Sequence, residues 1–353
     1  MADESNQPVD ATVKIGSDQI PPSELHDVIV ESDLGQPDHA VVTLSNESTK
    51  WSEKVTEGDD MEIKLGLGGI PADTVFKGEI TGIEPIYDTK SKVRVNIRAL
   101  NCMSLLARGK KSVAYLKVTD KDIVDKICQQ YSLTAKYGDS PPTTKYEHVY
   151  QHNQTDLEFV RIRAARIGFE VLVNDKELYF RKRTDAESGI TLEYGVNQDG
   201  ALEKFMPRLS TANQVSEVRV RGWNPDKKEE IVGIAKPASS KLGDKTGSDV
   251  ANTKHSNVLA IDVDAPVATK EEADNIAKSI LQERLMSFIV GEGICRGRPD
   301  LKPGIIVKVN CQDKRFNGNY YIIAVKHVYM HDGANHGYRV WFKFRRDAES
   351  NAS

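Results

Sequence analysis

Apolar and polar residues alternate with period two through most of the first hundred positions. Short runs of this kind recur at Val13-Lys-Ile15, Leu25 to Val30, His39 to Leu44, Met61 to Leu65, Thr74 to Ile80 and Lys92 to Arg98, parted by Gly, Pro, Asp and Asn clusters. Evenly spaced short strands between turn residues predict a β-barrel or sandwich. Alternation sets Val93, Val95 and Ile97 on one sheet face and Lys92, Arg94, Asn96 and Arg98 on the other, so one face is wet or turned to a partner.

The period then changes. After a short apolar crossing at Asn101 to Arg108 and a strand at Ala114 to Val118, Thr119-Asp-Lys-Asp122 opens a helix whose Ile123, Ile127 and Tyr131 share a face, with Asp120 and Asp122 near its positive end. Ser140-Pro-Pro-Thr-Thr marks a loop. Thr155 followed by Glu158 is a capping box, in which hydroxyl and carboxylate each satisfy a free backbone donor at a helix start. Leu157, Val160, Ala164 and Ile167 then recur at helical spacing, which turns Arg161, Arg163 and Arg166 mostly away from the buried stripe. Gly168 suits the left-handed end of that helix. Phe169 to Val173 and Leu178 to Arg181, flanking Asn174-Asp-Lys-Glu177, read as a hairpin.

Beyond Thr191-Leu-Glu-Tyr the strand pattern returns. Gln214 to Trp223 and Glu230 to Ala235 bracket Asn224-Pro-Asp-Lys-Lys228, a hairpin. Positions 236–257 turn to Ser, Gly, Lys, Asp and Thr and predict a long projecting loop, a candidate mobile or partner-contacting segment. Thr269-Lys-Glu-Glu272 is a second capping box, followed by Ala273, Ile276, Ala277, Ile280, Leu281 and Leu285 on one helical stripe. Three more strands close the pattern, in the stretches Gly297 to Val309, Gly318 to Val328 and Gly337 to Phe344. The two β regions share a loose grammar, with Gly58 and Gly304 before one strand, Gly78 and Gly318 in the next, and closing strands from Lys92 and Tyr338. No residue-level repeat is legible.

Composition narrows the functional classes. With 353 residues, 39% hydrophobic and 28% charged, this is an ordinary globular chain long enough for two or three domains. A net charge of −4 gives no concentrated basic surface of the kind nucleic acid requires. The first residues lack the basic and apolar regions of a signal peptide, so synthesis in the cytoplasm is expected. No apolar run nears the roughly 20 residues of a membrane span, and no direct membrane insertion is expected. Cys102, Cys128, Cys295 and Cys311 are far apart without Cys-x-x-Cys, which fits reduced thiols packed as small hydrophobes.

Candidate chemistry is sparse. Leu65-Gly-Leu-Gly-Gly-Ile-Pro71 has the glycines of a phosphate loop, but no helix start follows and they read as turn residues. His327, His331 and His336 fall close together, yet a metal site also needs carboxylate or thiolate partners at defined spacing, and a turn histidine is more readily a solvated residue. Gly-x-Ser-x-Gly, His-Glu-x-x-His and the P-loop are absent, and no pair of carboxylates is singled out by spacing. No catalytic, metal-ligating or cofactor-binding residue is therefore assigned, and no cofactor is expected. Arg161, Arg163 and Arg166 could grip an acidic partner by bidentate bonds, although a solvated helix face explains them as simply.

The run Gln154-Thr-Asp-Leu-Glu-Phe-Val160, the arginine-rich helix, Gly168-Phe-Glu170 and Leu178-Tyr-Phe-Arg181 resemble the phage late control protein D family. That family is the baseplate hub, related to the N-terminal part of the valine-glycine-repeat spike proteins of type VI secretion. The stretch from Gly58, the stretch from Phe76 and the three closing strands are similar to its tube-like barrels. The resemblance implies an α+β, mainly β fold: a first tube-like barrel over residues 1–118, a helix and smaller α/β middle domain over 119–200, a second tube-like barrel over 201–346 carrying the loop 236–257, and a tail, 347–353. It implies a structural hub, not an enzyme, in a phage baseplate or phage tail-like contractile injection particle. As a homotrimer it would present six similar modules and adapt a six-fold inner tube to a three-fold spike. The implied partners are the inner tube or tube initiator protein, a spike or tip protein and baseplate wedge proteins. The spike relatives continue into further β domains where this sequence stops, so the tip is expected to be a separate polypeptide. A particle-borne cell-wall hydrolase, or a carbohydrate- or receptor-binding β module, are the alternatives. The first lacks a spare helix-rich segment, and the second draws little support from 7% aromatic residues.

Overall fold

A computed structural model describes residues 9–68, 70–89, 92–195, 200–224, 227–254, 260–331 and 336–350. The fold is α+β and mainly β. The alternating N-terminal runs form β1 (Val9–Ile15), β2 (Asp18–Gln19), β3 (Leu25–Asp33), β4 (His39–Ser45), β5 (Asp60–Leu67), β6 (Ile70–Ile86) and β7 (Arg94–Leu100), with a short helix α1 (Lys50–Lys54) before β5. Val95, Ile97 and Ala99 are fully buried along one face of β7, as period two requires. The glycine-bearing stretch is the turn between β5 and β6: Leu67 pairs with Ile70, Gly68 takes φ +52°, and Gly69 lies outside the described residues.

The chain leaves this sheet at β7. Helix α2 (Met103–Leu106), β8 (Lys111–Thr119), α3 (Asp120–Gln130), β9 (Thr134–Lys136), β10 (Lys145–Gln154), α4 (Asp156–Arg166), β11 (Phe169–Asn174) and β12 (Glu177–Lys182) follow. They enclose a second core that runs from Met103 through Tyr115, Ile123 and Val160 to Phe180. The middle unit therefore begins near Met103, ahead of the expected boundary at 119, because β8 pairs with β10 and Tyr115 is buried here.

The remaining strands are β13 (Glu187–Glu193), β14 (Leu202–Leu209), β15 (Glu217–Asn224), β16 (Glu229–Ala235), β17 (Lys245–Thr246), β18 (Ala260–Asp264), β19 (Ile289–Arg296), β20 (Ile306–Asn310), β21 (Gly318–Met330), β22 (Gly337–Arg346) and β23 (Ala348–Glu349). Helix α5 (Gly247–Lys254) precedes β18, and α6 (Lys270–Leu285) precedes β19. The hairpin from Glu217 to Ala235 forms as read, with residues 225 and 226 of its turn outside the description, but it does not join the large sheet. It pairs instead with β18, and α6 packs its apolar stripe on this three-stranded sheet around Val218, Val220 and Ile231. Gly233 has a reason: a Cβ there would collide with the Ala273 backbone of α6.

The expected loop 236–257 is corrected by β17 and α5. Thr246 and Asp249 exchange the two bonds of a capping box at 3.2 and 3.1 Å, and the Ser248 hydroxyl donates to Val215 O at 2.7 Å. Residues 255–257 lie outside the description.

Both β regions meet in one sheet, 13 strands among the described residues, whose main path runs β14-β19-β22-β21-β3-β4-β7-β6-β5-β1-β2. It contains an internal duplication that the sequence does not reveal. The order β3-β4-β7-β6-β5 is repeated as β14-β19-β22-β21-β20, every neighbouring pair being antiparallel. A bulge between Leu25 and Asp27 has its counterpart between Leu202 and Lys204. A bulge between Ile80 and Gly82 has its counterpart between Ile322 and Ala324. The shared glycines also bond alike. Gly58 N–H donates to Ile80 O at 2.8 Å and Ile80 N–H to Asp59 O at 2.9 Å, while Gly304 N–H donates to Ile322 O and Ile322 N–H to Ile305 O, both at 2.9 Å. Gly58 and Gly304 take φ +93° and +82°, conformations that L side chains resist. The arrays join through β3 on β21 and share one continuous core, from Val28 and Ile97 to Val340 and Phe342.

Candidate assembly surfaces and interior sites

The capping residues lie where the helix starts require them. Thr155 Oγ1 accepts the Glu158 N–H at 3.1 Å and the Glu158 carboxylate accepts the Thr155 N–H at 2.9 Å. Gly168 ends α4 with φ +69°. At α6 only half of the expected box forms. Thr269 Oγ1 accepts the Glu272 N–H at 3.2 Å, but the Glu272 carboxylate accepts from Ala268 N–H at 2.9 Å and from Arg166 at 2.6 Å.

Of the three arginines read as a solvated face or an acid-gripping patch, two are used inside the chain. Arg163 Nε donates to Asp120 Oδ1 at 2.5 Å, with Asp120 1% exposed, and its guanidinium lies over the Tyr146 ring, 4.4 Å from the centroid. The Tyr146 hydroxyl donates to the other Asp120 oxygen at 3.1 Å. Arg166 bridges Glu272 and the Pro266 carbonyl, each at 2.6 Å, and so ties α4 to the start of α6. Arg161 is exposed. Helical periodicity locates only the most apolar stripe, whereas α4 is packed by α3, β10, β11 and α6 and has more than one covered side.

The histidines do not converge. His327 is buried in β21, its Nδ1 2.7 Å from the Tyr338 hydroxyl, while His331 and His336 are exposed on either side of residues 332–335, which lie outside the description. Among the described residues no group of three His, Cys, Asp or Glu could hold a metal ion. Cys128 and Cys295 are buried, Cys102 and Cys311 half-buried, and none is in a disulfide. Burial pushes the Cys128 thiol up to about 12, so it stays protonated and unreactive at neutral pH. No helix among the described residues is long and apolar enough to cross a membrane.

A cleft between the sheet and the β11–β12 hairpin is lined by Asp38, Asp73, Asn101, Arg181, Lys302 and His327. Burial raises the Asp38 carboxyl to about 6, against hydrogen bonds from Ser32 and Asn101 that pull it down. Burial, with Lys302 nearby, lowers His327 to about 3. The two act on stability in opposite senses. Folded Asp38 binds its proton more tightly than the unfolded chain, so its contribution is lost as pH rises from about 4 to about 6. Folded His327 resists protonation, so its contribution is lost as pH falls from 6.5 toward about 3. Asp38→Asn is therefore expected to expose an acid-side loss between pH 6 and 4, and His327→Gln an alkaline-side loss over the same window. Urea denaturation across that range measures both slopes, and parallel slopes in the two variants would refute the assignment. The cleft shows a positioning role for Asp38, which accepts the Asn101 side-chain amide at 2.7 Å where the chain departs from β7.

The outer sheet edges are the most conspicuous surface. β14 is bonded to β19 on one side, and its Lys204, Met206 and Arg208 are exposed. The end of β6 is bonded to β7 on one side only, and Glu84, Pro85, Ile86 and the following Tyr87 are all exposed. Ile86 is 41%, Tyr87 68% and Met206 42% exposed, which leaves large apolar side chains uncovered along both open edges. The sequence holds these residues in plain view, but only the pairing shows which strands are edges.

Comparison with known structures places the fold. The 43 kDa tail protein of prophage MuSo2 from Shewanella oneidensis is similar with a TM-score of 0.70 at 12% identity, over 96% of this chain and 98% of that one. The tail protein from Neisseria meningitidis MC58 is similar with a TM-score of 0.71 at 12% identity, over 96% and 97% of the two chains. The E. coli c3393 protein is a type VI secretion component described as structurally similar to the T4 bacteriophage tail proteins gp27 and gp5. It is similar with a TM-score of 0.60 at 16% identity, over 94% of this chain and 76% of that one. At these identities the likeness shows the fold alone, one shared with phage tail proteins and with a protein described as similar to gp27. No curated protein matches the chain in sequence. The family described as the Alg8 N-terminal domain matches residues 5–331, nearly the whole length, and the chain belongs to that family.

Proposed function

We propose that this chain is the structural hub of a phage baseplate or phage tail-like contractile injection particle, a homotrimer that adapts a six-fold inner tube to a three-fold spike. One observation carries the reading: the duplication of a five-stranded array within a single chain, alike in strand order and in two matched bulges. Three copies of a chain that holds two like arrays offer six like surfaces on one side while keeping three-fold symmetry on the other. Each array, curled by its bulges, supplies the wall of one tube-like barrel in the ring. The tail and secretion proteins that share the fold support the same setting. The partners are the inner tube or tube initiator protein, a spike or tip protein and the wedge proteins, and the chain passes from the cytoplasm into the assembled particle. The task is geometric and needs no bond-making step. Electron microscopy of the purified protein, alone and mixed with tube and spike proteins, is expected to show three-fold rings with six similar lobes. Two-fold particles, or monomers under every condition, would overturn the proposal.

A further inference from the structure

The exposed edges of the two arrays are complementary in the register that already joins the arrays inside the chain, and we infer that β14 of one copy docks along the end of β6 of a second copy. The inference rests on the ring proposed above and assigns its contact. Counting from the paired bulges, Asp27 corresponds to Lys204 and Gly82 to Ala324. The ladders agree across all four strands. Val30 faces Ala40, Ala40 faces Ala99 and Ala99 faces Ile80, while Pro207 faces Gly291, Gly291 faces Phe344 and Phe344 faces Ile322. β14 is thus the counterpart of β3, and β6 the counterpart of β21.

Within the chain β3 lies on β21, with Ile29 opposite Val328 and Glu31 opposite Lys326. Its outer counterparts, β14 and the end of β6, have no such strand between them. Transferring the register places Met206 opposite Ile86 and Arg208 opposite Glu84 across two copies. These side chains match. Val328 is 6% exposed because β3 covers it, whereas its counterpart Ile86 is 41% exposed and that of Ile29, Met206, is 42% exposed. Glu31 and Lys326 form an ion pair of 2.7 Å across the inner seam. Arg208 and Glu84 repeat it with the charges exchanged between the strands, an opposite-charge cross-strand pair. Two residues beyond Met206 and Ile86, Lys204 would face Asp88, again of opposite sign.

The prolines set the strength of this seam. Leu34 N–H donates to Ile323 O and His331 N–H to His26 O, so the bonded pairs of the inner ladder include Val30 with His327. Pro207 and Pro85 take the equivalent positions, and neither can donate. In a lone copy this makes both edges poor templates for stray strands. In the docked pair the backbone bonds fall to Leu209 with Ile83 and Phe205 with Tyr87, on either side of the proline pair. The seam therefore depends more on matched side chains than β3 on β21 does. Because β14 and β6 are different surfaces, the contact is head-to-tail and can be repeated from copy to copy around a ring.

The test uses the full chain. Glu84→Lys and Arg208→Glu are each expected to raise the concentration for half-assembly at least about tenfold by size-exclusion chromatography with light scattering, and the double exchange to restore it. Oxidised Glu84→Cys with Arg208→Cys is expected to give disulfide-linked oligomers, with Glu84→Cys and Lys204→Cys as the off-register control. If rings form but the charge reversals leave them unchanged, or the off-register pair links equally well, the seam is wrong and the hub reading stands. If the unaltered chain stays monomeric even with tube and spike proteins present, both fall.

Discussion

Replacing Arg163 by alanine is expected to destabilise the protein by about 3–5 kcal/mol, the cost of stranding a buried carboxylate. Asp120 is 1% exposed and has Arg163 at 2.5 Å as its charged partner, with the Tyr146 hydroxyl at 3.1 Å on its other oxygen. Asp120 is also the first residue of α3, so the charge that loses its counterion sits where α3 meets α4. The helix start favours that charge by about 0.3–1 kcal/mol, too little to offset the loss. Urea unfolding should show the midpoint fall in Arg163→Ala and recover much of the difference in Arg163→Met with Asp120→Asn, where no charge is left buried. A double variant no better than the single one would mean that lost packing on Tyr146, not the orphaned charge, is the cause.

Arg346→Ala is expected to cost a similar amount, about 3–5 kcal/mol, for a different reason. Arg346 is the largest fully buried side chain among the described residues, and its guanidinium is spent on neutral acceptors. Nε donates to Leu242 O at 2.9 Å, Nη1 to Asn317 O at 2.9 Å and Nη2 to Ser350 Oγ at 2.8 Å, with Tyr320 stacked 5.0 Å away. It thus pins three separated pieces of chain to the end of β22. Truncation leaves these acceptors short of a donor and opens a cavity beside Gly243 and Gly318, both in contact range of the guanidinium. Cleavage by a dilute protease should then concentrate at residues 236–244, ahead of global unfolding. A loss below about 1 kcal/mol would show that water replaces the fork.

What was legible in the sequence follows from the range of the forces involved. Alternation located most strands, because period two is imposed by the pleat wherever one face is buried. The Thr155 cap and the Gly168 terminus were legible because a capping box and a left-handed glycine are local bonds within one turn. The same grammar was present at Thr246-Gly-Ser-Asp249 and was outweighed by the polar composition around it. That composition reported the exposure of the segment, not its conformation. Helical periodicity does not reveal the burial of Arg163 and Arg166, because their partners lie 43 and 106 positions away.

The duplication marks the limit most clearly. Strand order, register and bulge position are set by backbone bonds, which any residue but proline can make, so two arrays can repeat each other while sharing few side chains. The polar and apolar order along the chain was enough to determine where strands and helices begin, and that the protein is built mainly of sheet. Which strands pair, which charges are buried and which edges are left open was decided by contacts between distant segments, because each depends on what the rest of the chain covers.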